Sequence, residues 1–358
     1  MTEALPYDSG VLDADDVSVE KSLRPTSLAE FIGQRRVVEN LRIAIETARA
    51  RGDVLDHVLL SGMPGLGKTT LSTLIAGALG VDFHVTSGPV VEKGKDLLGI
   101  LTGLKRGDVL FIDEVHRLSN EAEEYLYSAM EDYKVDLVLG AGPDARSIRI
   151  SIEPFTLVGA TTREGMLSAP FRSRYGIVEK LELYPREDLL EIILRSARLL
   201  DCSLSEETAL FLADRCRGTP RYANRFLRRI RDLAQYRSMR ATAGALGEAA
   251  AAHLPGVTAS TSPVELPQGV VAECLERLGI DGHGLDRVDR RILEVLLVAD
   301  EPVGLKTIAV SVAEEERTIE EVHEPYLIQK GLLLKTPRGR RASQLAYQVY
   351  GPKGGLFS

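Results

Sequence analysis

The stretch Val58–Leu71 reads VLLSGMPGLGKTTL, and it decides the fold of this chain. Its apolar start is typical of a buried strand, and its centre matches the phosphate-loop pattern G-x-x-x-x-G-K-T. The residues that follow have apolar side chains at helical spacing. The loop can turn its backbone N–H groups inward around phosphate oxygens because of Gly62, Gly65 and Gly67. The stretch therefore predicts an α/β domain that binds a nucleotide.

Two polar side chains follow these glycines and complete the predicted site. Lys68 supplies a positive charge for the β- and γ-phosphates, and the Thr69 hydroxyl can complete the coordination of Mg²⁺. The following helix points the positive end of its dipole at the same anion. These features predict ATP and Mg²⁺ as the cofactors.

Length and composition limit the class of protein. A chain of 358 residues, 44% hydrophobic and 27% charged, is typical of a globular protein with two or three domains. Residues 1–20 are acidic and contain no Lys or Arg, so they resemble a disordered lead and not a signal peptide. No apolar run reaches the roughly 20 residues that span a bilayer. We expect a cytoplasmic protein with no membrane contact.

Two further totals limit the sites to look for. The three cysteines are far apart, which favours neither a disulfide framework nor a zinc site. The net charge of −8 means that any argument for nucleic-acid binding must rest on a local basic patch.

A second chemical signal is the pair Asp113-Glu114, which ends an apolar run 45 residues after Lys68. Ligands of open α/β sheets lie at the carboxyl ends of the strands. Asp113 is expected to hold Mg²⁺ through water, and Glu114 to polarise the water that attacks the γ-phosphate. The nearby His116 is interpreted as a packing or hydrogen-bonding residue and not as a base.

Three later elements carry candidate phosphate ligands. A strand over Phe155–Thr161 ends in hydroxyls that could contact the γ-phosphate or the attacking water. Arg172 and Arg174 lie at a predicted helix end; an arginine there suits transition-state charge if a neighbouring subunit supplies it, and a surface ion pair is the alternative. Thr219 and Pro220 predict a helix start, which puts Arg221 in a first turn, where an anion would offset its unfavourable position.

The remaining patterns predict a hairpin and a C-terminal domain. Residues 135–152 alternate like a hairpin and fit either an edge ornament or a surface that docks a partner or DNA. Residues 241–267 read as a flexible insertion. Three helices, the third over Glu315–Lys330, then precede a basic hairpin over Leu332–Thr336 and Arg341–Tyr347, which is the plan of a winged helix. Its basic wing favours DNA, with a protein-binding winged helix as the alternative. The wing cations are Lys335, Arg338, Arg340 and Arg341.

The wording of these motifs resembles the RuvB family, the bacterial AAA+ motors of Holliday-junction branch migration. The likeness covers about residues 22–350. It is carried by sequences that include LRP at 23–25, GLGKTT at 65–70, FIDEVHR at 111–117, AMED at 129–132, GATTR at 159–163, GTPR at 218–221, EPYLIQ at 324–329 and TPRGR at 336–340.

The resemblance implies a role for each matching position. Phosphate, Mg²⁺ and hydrolysis residues match Gly65, Gly67, Lys68, Thr69, Thr70, Asp113 and Glu114. The first sensor matches Thr161 or Thr162, with Thr161 preferred; the trans-acting arginine finger matches Arg174 and the second sensor Arg221. Further nucleotide contacts match Leu23, Arg24, Asp132, Tyr133, Lys134 and Tyr184. DNA contacts match Lys335 and Arg340, with Arg338 beside them. The hairpin 135–152 matches the region that docks the junction-binding partner RuvA.

The resemblance also implies the domain plan and the activity. Residues 21–184 form a large AAA+ P-loop ATPase domain, residues 185–280 a helical lid and residues 281–358 a winged helix that binds DNA. The chain departs from the family pattern at Met63, Ser173 and Lys335, and none of these changes removes a catalytic group. We expect a homohexameric ring on duplex DNA that couples ATP hydrolysis to branch migration, with a RuvA-type protein and possible contact with a resolvase.

Two rival functions remain open at this point. One is another AAA+ machine, such as a clamp loader or a replication initiator. The other is a nucleotide-gated DNA-binding regulator that does not translocate. ATP-dependent movement of a four-way junction distinguishes the motor from both rivals.

Overall fold

A computed structural model of the protein describes residues 22–91, 94–139, 146–246 and 263–351. The chain divides into two compact units, one of residues 24–182 and one that contains the rest. The predicted acidic lead of residues 1–20 lies outside the described residues, as do residues 247–262 of the predicted insertion. Within the described ranges, no helix has the length and apolar character needed to cross a membrane.

The first unit is built on a parallel sheet, as the P-loop pattern predicts. Its strands are β1 (Val58–Ser61), β2 (Phe83–Ser87), β3 (Val109–Asp113), β4 (Lys134–Leu139), β5 (Arg146–Ser151), β6 (Thr156–Thr161) and β7 (Ile177–Lys180). Five of them pair in parallel in the order β2-β3-β6-β1-β7. The inner strands β1, β3 and β6 are buried almost throughout, which explains why their sequences are continuous apolar runs and do not alternate.

Helices cover this sheet and fix the positions of the loops. They are α1 (Arg35–Arg51), α2 (Lys68–Leu79), α3 (Gly94–Gly103), α4 (Asn120–Asp132) and the short α5 (Ala169–Arg172). Helix α4 starts where Ser119, its N-cap, accepts a hydrogen bond from the Ala122 N–H. Helices α3 and α4 pack their apolar faces on one side of the sheet, in a core that includes Leu97, Leu126 and Phe155.

The predicted hairpin is confirmed as the antiparallel pair β4–β5, with Val135 opposite Ile150. Asp136 and Arg149 face each other across it and form a two-point ion pair at 2.8 and 2.9 Å. Ile148 is 48% exposed on this pair of strands. Residues 140–145, where the sequence predicts the turn between these strands, lie outside the described residues.

The lid of the second unit consists of α6 (Arg186–Leu199), α7 (Glu206–Ala213), α8 (Pro220–Leu246) and α9 (Gln268–Arg277). A short parallel pair joins β8 (Cys202–Ser203) to β9 (Val264–Glu265). The prediction of a flexible insertion is therefore wrong at both of its ends. Residues 241–246 continue α8, and Val264–Glu265 gain backbone partners from β8.

The C-terminal domain is a winged helix, as predicted. Its elements are α10 (Arg287–Leu297), α11 (Leu305–Val312), α12 (Glu316–Thr318), a π-helical turn (Ile319–His323), α13 (Glu324–Gln329), β10 (Leu333–Thr336), β11 (Gly339–Ala342) and α14 (Gln344–Tyr350). The wing is the antiparallel pair β10–β11, with Lys335 opposite Arg340. The core contains Ile292, Ile308 and Leu327.

Two details of this domain differ from the prediction. The third helix is not continuous, because the π-helical turn interrupts it between α12 and α13. The predicted second wing strand over Arg341–Tyr347 is wrong after Ala342. Ser343 caps a new helix there by accepting a hydrogen bond from the Ala346 N–H, so the chain continues as a helix from Gln344 and not as a strand.

Candidate nucleotide-binding site

The loop between β1 and α2 has the geometry of a phosphate cradle. Gly62, Gly65 and Gly67 have φ angles of 141°, 82° and 99°, which an L side chain rarely adopts. A Cβ on Gly62 would also lie 2.7 Å from the Leu181 carbonyl oxygen. The ammonium group of Lys68 donates to the Gly62 and Met63 carbonyls at 2.7 and 2.9 Å. The cation is thereby held over the loop, where it suits a polyphosphate.

The residues that follow Lys68 occupy the first turn of α2. Thr69 and Thr70 are half-buried there, at the positive end of the helix dipole. Hydroxyl oxygen is a suitable ligand for Mg²⁺, so this turn fits the cation that accompanies a nucleotide.

The acidic pair lies at the same edge of the sheet, because β3 and β1 run parallel on either side of β6. Asp113 ends β3 and accepts a hydrogen bond from the Glu114 N–H at 3.0 Å. Glu114 has φ +50°, an unusual conformation for a residue with a side chain. Backbone strain of this kind is concentrated at functional sites.

The Glu114 carboxylate lies close to the His116 and Thr162 side chains. Its Oε2 lies 3.3 Å from Nδ1 of His116 and 3.4 Å from the Thr162 hydroxyl, which donates to it. The His116 side chain is 2% exposed, in agreement with its interpretation as a hydrogen-bonding residue. Its contact with Glu114 could not be predicted from the sequence, because a separation of two residues after a strand end does not determine where the two side chains point.

The two threonines at the end of β6 have different surroundings. Thr161 is fully buried; its hydroxyl lies 2.9 Å from Nδ1 of His116 and accepts a hydrogen bond from the Arg163 N–H. Thr162 is half-buried and faces Glu114. Of the two hydroxyls, only that of Thr162 is hydrogen-bonded to the Glu114 carboxylate among the described contacts.

Arg174 lies at the opposite edge of the sheet. It precedes Ile177, the first residue of β7, and Ile177 is paired with Val58, the first residue of β1. The phosphate loop follows the last residue of β1. At about 3.3 Å per residue, a four-residue strand puts roughly 13 Å between these two edges.

Helix α4 holds the Arg174 guanidinium. Its Nη2 lies 2.7 Å from the Glu131 carboxylate and donates to the Tyr127 hydroxyl, and its Cζ lies 4.5 Å from the centre of the Tyr127 ring. The hydrogen bond to Tyr127 raises the pKa of Arg174, so the group stays charged. The predicted nucleotide contacts Asp132, Tyr133 and Lys134 come directly after Glu131, on the same side as Arg174.

The second unit brings three more predicted contacts together. The Tyr184 N–H donates to the Gly218 carbonyl at 2.8 Å. Thr219 accepts from the Tyr222 N–H and Pro220 begins α8, so the predicted helix start is confirmed and Arg221 lies exposed in its first turn. The other contact, Leu23, is buried, and its carbonyl accepts from Arg195. Arg24 belongs to the first unit.

The wing cations differ in exposure. Lys335 is half-exposed and lies 3.4 Å from Glu320 and 3.5 Å from Glu324. Arg338 is exposed at the turn between β10 and β11. Arg340 is only 12% exposed and forms an ion pair with Glu324, which is 2% exposed. The sequence placed these cations together on the wing, and the structure adds that Arg340 is largely covered by its contact with Glu324.

Comparisons with known proteins agree with this architecture. Family models match residues 23–181 as the Holliday junction DNA helicase RuvB P-loop domain, residues 184–254 as the RuvB AAA lid domain and residues 282–351 as the RuvB C-terminal winged helix domain. Two relatives are named Holliday junction branch migration complex subunit RuvB. The protein from Kosmotoga olearia is 50% identical over 95% of this chain and 93% of its own length; that from Koribacter versatilis is 51% identical over 95% and 88%.

Solved structures give the same result. The structure described as the Thermotoga maritima RuvB Holliday junction branch migration motor is 45% identical to this chain. The structural match covers 91% of this chain and 97% of the solved chain, with a TM-score of 0.77. The chain therefore belongs to the RuvB family.

Proposed function

We propose that this chain is an ATP-driven DNA motor that moves Holliday junctions during recombination and repair. The observation that carries the proposal is the division of its reactive groups between two edges of one sheet. Lys68, Asp113 and Glu114 are at the carboxyl edge, and Arg174 is at the amino edge. One subunit therefore does not complete a hydrolytic site, and a ring of subunits does, as in a hexamer.

At the carboxyl edge, each side chain has a role in hydrolysis. Lys68 binds the β- and γ-phosphates, and Thr69 and Asp113 hold Mg²⁺ directly or through water. When bound, Mg²⁺ neutralises charge on the phosphate oxygens. Glu114 orients the attacking water, and Thr162 fits the role of first sensor better than Thr161 because its hydroxyl faces Glu114.

At the amino edge, the neighbouring subunit contributes Arg174. Its planar guanidinium can bind two oxygens of the transferred phosphoryl group at once. The adjacent stretch Asp132–Lys134 lies on the same face and is suited to contact the same nucleotide. Leu23, Arg24, Tyr184 and Arg221 complete the nucleotide contacts in the family pattern, with Arg221 as the second sensor.

The choice between the two threonines gives a direct prediction. Thr162→Val is expected to lower the hydrolysis rate with little change in thermal stability, because the variant loses a hydroxyl at the water-binding side of Glu114. Thr161→Val is expected to destabilise the domain by about 1–3 kcal/mol, because it leaves the Arg163 N–H without its buried acceptor. Steady-state ATPase assays and thermal unfolding measure both effects. A stable, inactive Thr161→Val beside a fully active Thr162→Val would reverse the assignment.

The wing suits contact with the DNA backbone. Lys335 and Arg338 are accessible cations, and phosphate contacts carry no sequence information, as translocation along any sequence requires. We expect Lys335→Ala to weaken DNA binding and to reduce the slope of log affinity against log salt by about 0.9. Arg340→Ala is the contrasting variant, expected to lower the melting temperature because Glu324 loses its buried partner. Fluorescence anisotropy at several salt concentrations measures the slope, and an unchanged slope for Lys335→Ala contradicts the contact.

The exposed hairpin β4–β5 is the proposed docking site for a RuvA-type junction-binding protein. Ile148 offers exposed apolar surface there, held in register by the Asp136–Arg149 pair. On the basis of the same family relationship, we also propose contact with a resolvase and a cytoplasmic location.

A synthetic four-way junction tests the function. We expect the purified protein, with a RuvA-type partner, to separate the junction into duplex products only when ATP and Mg²⁺ are present. Binding that responds to ATP without any movement favours the nucleotide-gated regulator. ATP-dependent loading of a sliding clamp, without junction movement, favours a clamp loader.

A further inference from the structure

Arg217 is a buried cation at the boundary between the lid and the winged helix. Its side chain is 3% exposed, and its backbone has φ +55°. It comes immediately before the turn Gly218–Arg221, which starts α8 and includes the predicted second sensor. The lid therefore places an unusually constrained arginine directly beside a predicted nucleotide contact.

The guanidinium of Arg217 points into the winged helix. Its Nη1 lies 3.3 Å from Oδ2 of Asp286, and its Nη2 forms an ion pair with Asp289. Nη1 also donates to the Tyr222 hydroxyl of the lid at 2.7 Å. The Cζ lies 4.7 Å from the ring centre of Tyr326 in the winged helix. One side chain thus binds groups of both domains.

The two aspartates are also the start of α10. The Asp286 carboxylate accepts from the Asp289 N–H, and the Asp289 carboxylate accepts from the Asp286 N–H, which forms a capping box. Asp289 lies 2.7 Å from Nδ1 of His323 in the π-helical turn. Arg217 therefore contacts the residues that orient the first helix of the winged helix, and one of these residues also contacts the third.

The carboxylate and imidazole groups that surround Arg217 are close enough together to bind a metal ion, but the Arg217 guanidinium already provides a positive charge. Asp286, Asp289 and His323 place ligand atoms close to one another. The Arg217 guanidinium contacts both carboxylates and supplies a positive charge that balances them. Burial lowers the pKa of His323, so Arg217 and not the imidazole carries the positive charge at neutral pH.

Close backbone packing surrounds the same boundary. Gly284 has φ +80°, and a Cβ there would lie 2.8 Å from the Tyr326 hydroxyl and 3.1 Å from the backbone of Arg215. The Tyr326 hydroxyl donates to the His283 carbonyl at 2.8 Å. Because breaking one partner out of a buried charge cluster leaves the other charge uncompensated, the boundary resists bending.

We propose that Arg217 joins the lid and the winged helix into one rigid lever, so that movement of the nucleotide-contacting turn reaches the DNA-binding wing without loss. The coupling role rests on the proposed function, in which Tyr184 and Arg221 contact the nucleotide. The rigid connection between the lid and the winged helix does not rest on the proposed function. Arg217 is a positioning residue in this account, since it touches neither ATP nor DNA.

Pulsed electron–electron distance measurements on the full-length protein test the rigidity. Spin labels are attached at Tyr236→Cys in α8 and Val298→Cys after α10, positions that are 55% and 83% exposed. The native Cys202, Cys216 and Cys274 are buried, and burial raises the pKa of the Cys202 and Cys274 thiols to about 11, which keeps them from competing for the label. Labelled subunits are diluted with unlabelled ones so that each ring reports one pair.

We expect a single narrow distance distribution that is the same without nucleotide, with ADP and with a non-hydrolysable ATP analogue. Arg217→Met is expected to broaden it at least twofold. Arg290→Met is the matched control, because among the described residues the Arg290 side chain forms only a long, 4.0 Å ion pair with Asp281, and it should leave the distribution narrow. A wild-type distance that shifts with nucleotide, or a narrow distribution for Arg217→Met, overturns the lever.

Coupling is measured as base pairs moved per ATP hydrolysed. Arg217→Met should keep most of the ATPase rate and lower this ratio at least fivefold, and Arg217→Lys should recover part of it. If Arg217→Met does not fold, Arg217→Met combined with Asp289→Asn removes one buried charge and keeps an oxygen for the helix cap. If a fluorescent ATP analogue fails to bind the wild type, the proposed function fails, and the distance measurement still decides the rigidity.

Discussion

Arg174→Ala is expected to lower the rate of ATP hydrolysis about 10³–10⁵-fold while nucleotide binding persists. In the proposed function, the variant removes the cation that binds the transferred phosphoryl group, and Lys68 and the glycine loop remain intact. Steady-state ATPase activity and binding of a fluorescent ATP analogue measure the two effects. Arg172→Ala is the control. The Arg172 side chain is 48% exposed and lies 3.8 Å from Glu164, so its loss should leave the rate of ATP hydrolysis almost unchanged.

Mixed rings distinguish action in trans from action in cis. Arg174→Ala subunits keep the phosphate loop, and Lys68→Ala subunits keep the arginine. Where the first kind lies beside the second in the correct order, one interface has both groups. We expect activity to pass through a maximum as the mixing ratio varies, although each variant alone is inactive. The absence of recovery at every ratio, with mixed rings verified, rejects the shared site.

Glu114→Gln is expected to lower the hydrolysis rate about 10²–10⁴-fold, because the amide cannot polarise the attacking water. The substitution keeps the size of the side chain and leaves Asp113, Lys68 and the loop unchanged, so ATP should bind normally. Single-turnover hydrolysis measures the chemical step, and DNA binding in the presence of ATP should be prolonged because the ATP state persists.

The control for this variant is Glu153→Gln, an exposed carboxylate on the chain just before β6. It should hydrolyse ATP at the wild-type rate. If Glu114→Gln retained hydrolysis within a few-fold of wild type, another group would have to act on the water. His116 would be the next to test, since its Nδ1 lies 3.3 Å from the Glu114 carboxylate.

The sheet and its catalytic edge could be predicted from the sequence for physical reasons. A phosphate loop needs glycines at fixed offsets between a strand and a helix, and buried parallel strands need continuous apolar runs. Both constraints are local, so they are visible in a stretch such as Val58–Leu71 or in the run that ends at Asp113. The start of α8 at Pro220 was predictable for the same reason.

Features that depend on packing between distant segments were not predictable. Thr161 and Thr162 are equivalent as sequence, and only the position of His116 and Glu114 separates them. Arg340 appeared as one wing cation among several until Glu324 was found beneath it. Nothing in the sequence around Arg217 indicates that its carboxylate partners lie about 70 residues away, at the cap of α10.

The two carboxylates beside Lys335 have a consequence for the proposed translocation along DNA. Lys335 already forms ion pairs with Glu320 and Glu324, so in the proposed function a DNA phosphate that binds this lysine competes with two carboxylates. We therefore expect each contact between Lys335 and a DNA phosphate to be weak and to dissociate rapidly. Rapid dissociation favours fast translocation, because the release of one phosphate contact limits how soon the next can form.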